Sequence, residues 1–173
     1  MMRTKRMSFR VLLATLILIC SGCKKNPITA TISPGQETIM VICSPASGGP
    51  DAIITIAVAI AGNNKEIRVF GLDVDYDGQM FEFDSAGKGS LTDTWATVDG
   101  NEFASGTLKV GGYVGGGSPI PISSNGTLGL VKLKVTGAQY GNGQQSQVWI
   151  RQYTDDIAGF TPESASAVFT LKK

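Results

Sequence analysis

The chain has 173 residues, with fifteen basic and fourteen acidic side chains, twenty-two glycines, seven prolines and no histidine. This near-neutral balance lacks the basic excess that draws nucleic acid. Without histidine, Ser-His-Asp, Cys-His and histidine-ligated metal chemistry are excluded, and no nucleophile motif surrounds the remaining carboxylates, lysines and tyrosines, so the chain does not read as an enzyme.

Residues 1–10 carry Arg3, Lys5, Arg6 and Arg10 and no acid, and Val11–Ile19 is an unbroken apolar run. That run is too short for a helix across a bilayer, which takes about 20 residues. "CSGC" (Cys20–Cys23) follows, and a basic start, a short apolar core and a small-residue boundary read as an export signal. The segment resembles a bacterial lipoprotein signal: Ser21 and Gly22 precede Cys23, and Cys20 stands where leucine is commoner. The resemblance implies a signal peptide over 1–22, cleavage before Cys23, and acylation of Cys23 by several chains that together hold the protein on a membrane. Lys24 is not the aspartate that resembles an inner-membrane retention signal, so an outer-membrane or cell-surface place is expected. Cleavage would leave 151 residues, with eleven basic against fourteen acidic side chains and a formal charge of −3. That length suits one domain with a sizeable core. With Cys23 lipidated, Cys43 has no disulfide partner and reads as an apolar thiol on a strand.

Residues 23–37 are polar, broken by Pro27 and Pro34, and read as a tether. The domain then spans 38–173. Short β-branched runs punctuated by glycine and proline predict an all-β, two-sheet sandwich of about nine strands. Thr38–Cys43 is a first strand, Ser44–Pro50 a turn, and Ala52–Ala61 a long apolar central strand. Ile67–Tyr76 alternates, Met80–Asp84 is short, and Ser85–Ser90 reads as loop. Thr94–Asp99 and Ser105–Val114 read as a hairpin around the Asp-Gly signal at Asp99–Gly100. Gly115–Gly126 is a long glycine-proline loop, and Thr127–Gly137, Gln147–Tyr153 and Ala165–Lys173 are the last strands.

Gly71–Asp84, "GLDVDYDGQMFEFD", imitates a calcium loop, with Asp73, Asp75 and Asp77 at alternate places, Gly78 at the turn and Asp84 twelfth. An EF-hand needs flanking helices and a bidentate glutamate at twelve, and neither is here. Phe70, Leu72, Val74 and Tyr76 alternate instead with Gly71, Asp73, Asp75 and Asp77, which predicts a half-buried strand with its aspartates outward. Asp73 and Asp75 then stand about 6.5–7 Å apart, too far for both to grip one small cation. An irregular calcium site built on Asp77 and loop oxygens stays open; no other cofactor is expected.

In "QVWIRQY" (Gln147–Tyr153), Trp149, Arg151 and Tyr153 share one parity and Val148 and Ile150 the other. If the aliphatic side is core, the first three face outward, where planar aromatics could stack on sugar rings. The alternative is that Trp149 packs on the opposite sheet or lies under Arg151. "GGYVGGG" (Gly111–Gly117) lacks the ending of a phosphate loop and reads as a strand connection or a binding rim.

"FGLDVDYDGQMFEFDSAGKGSL" and "TVDGNEFASGTLKVGGYVGGGSPIPISSNGTLGLVKLKVTG" resemble a cohesin domain. Tyr76-Asp77 and Phe81-Glu82 match the steps between the family's early strands, and Gly126, Leu128, Lys134 and Val135 match a later strand. The likeness covers roughly 38–171. It implies a nine-stranded jelly roll that binds dockerin modules in polysaccharide-related surface assembly. In the family the partner lies on one sheet face, which by alternation corresponds here to Gly71, Asp73, Asp75, Thr107, Lys109, Gly111 and Tyr113. Three functions follow as expectations. The first is a membrane-anchored module recruiting a dockerin-like protein. The second is a carbohydrate-binding lipoprotein on the same fold, holding polysaccharide by Trp149, Arg151 and Tyr153. The third is a structural surface subunit.

Overall fold

A computed structural model describes residues 37–173. The signal segment, Cys23 and all of the tether except Glu37 lie outside the described residues.

Eleven strands run in chain order, with no helix among the described residues: β1 (Thr38–Ser44), β2 (Ser47–Gly48), β3 (Ile53–Ala61), β4 (Val69–Tyr76), β5 (Phe81–Lys88), β6 (Thr97–Ala104), β7 (Thr107–Tyr113), β8 (Asn125–Val135), β9 (Gln145–Asp155), β10 (Thr161–Ser164) and β11 (Ser166–Leu171). They form two sheets, β10-β1-β3-β8-β5 and β2-β11-β9-β4-β7-β6. The expected all-β, two-sheet sandwich is therefore present. Its count exceeds nine by two short strands, β2 and β10, each of which adds to an edge by parallel pairing.

Period-two alternation fills the space between the sheets. Ile54, Ile56, Val58 and Ile60 of β3 point inward from one layer, and Phe70, Leu72, Val74 and Tyr76 of β4 from the other, all nearly inaccessible. Trp95 lies in the β5–β6 connection and is buried. Its ring centroid is 5.8 Å from that of Phe70, and its Nε1 donates to Ser118 O at 3.0 Å. The glycine-proline loop is held at Ile120, which is buried and exchanges backbone hydrogen bonds with Ile67.

Two boundaries differ from the sequence reading. Ser85–Lys88 continues β5 instead of forming a loop, pairing with β8 after a bulge at Asp84. The β6–β7 hairpin turns at Ser105–Gly106, not at Asp99–Gly100, which lies inside β6. Gly106 adopts φ +83°, where glycine carries no Cβ penalty. Gly100 serves packing instead: a Cβ there would come 2.7 Å from Ala86 Cβ on the facing sheet.

Candidate docking face

On the outer face of the six-stranded sheet, β9, β4 and β7 run side by side. Register sets Asp75 opposite Thr107, Asp73 opposite Lys109, Gly71 opposite Gly111, and Val69 opposite Tyr113. All seven positions expected on a partner-binding face therefore share this face, because the buried alternates of β4 and β7 point into the core. Seven large apolar side chains are exposed among the described residues, and five stand here: Val69, Phe103, Tyr113, Trp149 and Val168. That concentration makes this face the candidate site, since isolated exposed hydrophobics are ordinary and clustered ones are not.

Charged groups occupy the centre. Arg151 places NH2 3.2 Å from Asp73 Oδ2 and NH1 3.7 Å from Asp75 Oδ2. The aspartates are not a free acidic strip. Their side chains are only 19% and 16% exposed, because β4 is an interior strand and Arg151 covers them. Asp75 Oδ1 is buried and has no hydrogen-bond donor. On the β6–β7 side, Lys109 Nζ stands over the Phe103 ring, 5.7 Å from its centroid.

The expected row of stacking residues is broken. Val74 pairs with Ile150 but Asp73 pairs with Gln152, so Arg151 is the extra residue of a bulge. The inserted residue reverses the phase beyond it. Trp149, 40% exposed, and Arg151 stay on the outer face, while Tyr153 pairs with the buried Leu72 and packs half-buried against the core. Burial of Trp149 against the opposite sheet is equally excluded by its exposure.

Asp77 ends β4 as a turn cap. Its Oδ1 accepts from the backbone amides of Gln79 at 2.9 Å and Met80 at 3.3 Å, and its Oδ2 accepts from the Tyr140 hydroxyl at 2.7 Å. That bond holds Tyr140 above the ordinary tyrosine range. Its oxygens are already engaged by donors, and among the described residues no three acidic or cysteine side chains converge to hold a cation. On this geometry Asp77 serves as the cap of the Gln79–Met80 turn.

At the same end of the sheet the buried Tyr76 hydroxyl donates to Glu102 Oε1, which also accepts from Gly106 N at 3.2 Å. Burial, and then this hydrogen bond, push the Tyr76 hydroxyl well above its usual range. The contact ties β4 to the hairpin that carries Thr107 and Lys109.

Val69, Phe103 and Val168 escaped sequence reasoning as members of this face. Val168 was legible in principle, alternating with Ala167 and Phe169. Phe103 shares the outward parity of Asp99 and Asn101, but a turn read at Asp99–Gly100 leaves it outside any strand.

A family model described as the cohesin domain matches residues 40–162. Among solved structures, the chain is similar to the sixth cohesin of scaffoldin B from Acetivibrio cellulolyticus, solved in complex with a dockerin. That match has TM-score 0.62 at 20% identity and covers 81% of this chain and 100% of that one. A type I cohesin–dockerin complex from Clostridium thermocellum matches with TM-score 0.60 at 16% identity, over 78% of this chain and 99% of that one. A non-cellulosomal cohesin from Archaeoglobus fulgidus matches with TM-score 0.56 at 19% identity, over 79% and 92%. Among curated proteins, none matches the chain.

Proposed function

The chain belongs to the cohesin family, and from that premise we propose that it is a non-catalytic binding module that receives a dockerin-like protein on the outer face of β11-β9-β4-β7-β6. The observation that carries this reading is the gathering of Trp149, Tyr113, Phe103, Val69 and Val168 on that face around the Arg151 ion pairs. Binding energy in protein interfaces concentrates in exposed tryptophan, tyrosine and arginine that become desolvated at the centre of a patch. Similar cohesins are solved with dockerins bound, which supports this partner class. The basic start, the apolar run and Cys23 support a lipid-anchored, exported protein, at the outer membrane or cell surface, that recruits its partner there in polysaccharide-related assembly.

The test is the affinity of dockerin modules encoded in the same genome, measured for the wild type, Trp149→Ala, and Asp73→Lys with Asp75→Lys. The face variants should lose at least about tenfold, the scale of a single interface hot spot. Unchanged affinity in all of them removes this face from the account. For the anchor, Cys23→Ser should release the protein from the membrane fraction, and retention there would sink the lipoprotein reading.

A second reading has one observation in its favour. Trp149 is exposed with Gln147 and Arg151 beside it, as a saccharide platform needs, although Tyr153 is turned away. Retardation on insoluble-polysaccharide gels that is lost in Trp149→Ala would support it.

A further inference from the structure

The docking face has a trough at its centre. One row across the sheet runs Thr154, Gly71, Gly111, Asp99, so two adjacent strands present no side chain. The depression encloses about 420 Å3 and has Asp73, Lys109, Gln152, Thr154 and Asp155 in its walls. Val69 and Tyr113 are the next outward pair at one end, and Asp73 and Lys109 at the other. The floor above Gly111 is open, since a Cβ there would meet only Phe70 O, at 3.3 Å. Oxygens stand over Gly71: a Cβ there would press on Thr154 Oγ1 and come 3.2 Å from Asp155 Oδ2.

The charges around this trough are unbalanced. Asp73 and Asp75 share Arg151, and Lys109 is drawn toward the Phe103 ring. Asp99 and Asp155 enter no ion pair among the described residues. Four carboxylates against two cations, with Asp73, Asp75, Asp99 and Asp155 on one side and Arg151 and Lys109 on the other, leave the face at −2.

We infer that the Gly71–Gly111 trough receives a lysine or arginine side chain of the docked partner, an inference that rests on the docking reading above. A long basic side chain fits both halves of the site. Its methylene stem lies on the glycine floor beside Val69 and Tyr113, and its cation reaches Asp155 and Thr154 Oγ1. An apolar side chain would strip water from Asp155 without replacing its hydrogen bonds, and an acidic one would meet like charge. Electrostatic complementarity thus selects the partner at this point, while the aromatic residues around it supply contact area.

The test needs no partner in hand. The full chain, labelled with 15N, is titrated with N-acetyl-lysine methylamide and, in parallel, with N-acetyl-norleucine methylamide, which has the same stem without the ammonium. The inference expects dose-dependent amide shifts at Gly71 and Gly111 with the lysine probe alone, lost in Asp155→Asn. Asparagine tolerates the φ of +61° at this position, so that variant keeps the backbone. No shift at either glycine, or equal shifts with both probes, overturns the inference. The two readings fail separately. If a dockerin binds and Trp149→Ala weakens it while the lysine probe moves neither glycine, the trough is wrong and the docking face stands. If the probe moves both glycines but dockerin affinity is unchanged in every face variant, the docking reading fails, and with it the assignment of the basic side chain to a docked partner.

Discussion

Replacing Arg151 by methionine removes the cation between Asp73 and Asp75 while keeping a side chain of similar reach on the sheet. The guanidinium stands 3.2 Å from one carboxylate and 3.7 Å from the other. An exposed pair is worth about 0.2–1 kcal/mol, whereas deleting one partner of a buried pair costs about 3–5 kcal/mol. This site falls between those limits: Arg151 is 50% exposed, but the carboxylates are only 19% and 16% exposed. Asp75 Oδ1 already lacks a donor, so the lost charge contact is not replaced there. Discounting for the exposed guanidinium places the loss at about 2 kcal/mol. For a domain of this size that lowers Tm by about 8 °C, readable by circular dichroism melts. Neutralising both acids in the same background, with Asp73→Asn and Asp75→Asn, should recover part of the loss, because the stranded charges are its cause. A single variant melting within about 1 °C of wild type, or no recovery on neutralisation, would refute the reasoning.

Gly112→Ala should destabilise by about 1–3 kcal/mol in a denaturant titration, since its Cβ would come 2.7 Å from Val98 Cγ2 and 2.9 Å from Phe70 Cε1 in the closed core. Stability should also fall in alkali. Burial raises the Tyr76 hydroxyl above its ordinary range, with Glu102 adding to it, and burial pushes the Cys43 thiol up to about 11. Both folded-state values lie above the unfolded ones, so the protonated forms stabilise fully below the unfolded pKa, and that contribution is lost as pH rises through the folded one. The denaturation midpoint should therefore drop above about pH 9, and Tyr76→Phe with Cys43→Ser should flatten the drop; parallel curves would contradict it. Calcium should leave the wild-type Tm unmoved, and Asp77→Ala should lower Tm equally with and without calcium, because Asp77 caps the Gln79–Met80 turn. A calcium-induced rise abolished by Asp77→Ala would restore the metal reading.

Alternation carried most of what the sequence could tell. Phe70, Leu72, Val74 and Tyr76 set the phase of β4 and so placed Asp73 and Asp75 on the outer face beside Thr107 and Lys109. Alternation fails where a residue is inserted. The bulge at Arg151 turned Tyr153 inward, and the bulge before Ala104 turned Ala104 outward beside Phe103. Neither insertion has a local signature, because both answer to the register of a neighbouring strand. The hairpin turn misled for a related reason. Asp99–Gly100 has turn chemistry, but its glycine makes room for Ala86 across the core, and Gly106 makes the turn. Charge pairing was equally out of reach: an acidic strip in the sequence becomes a half-neutralised centre once a strand some 76 residues away brings Arg151 to Asp75. The family likeness survived these local errors because it rests on the order of strands and turns across the domain.

Oxidative side-chain footprinting of the chain, free and bound to a dockerin module, tests the docking face most directly. Trp149, Tyr113 and Phe103 report on that face, and Ile53 and Ile122, also exposed, report on the rest of the surface. The account predicts that the three aromatic residues lose labelling on binding while both isoleucines keep theirs. Protection of Ile53 with unchanged labelling of Trp149 and Tyr113 would place the partner elsewhere and contradict it.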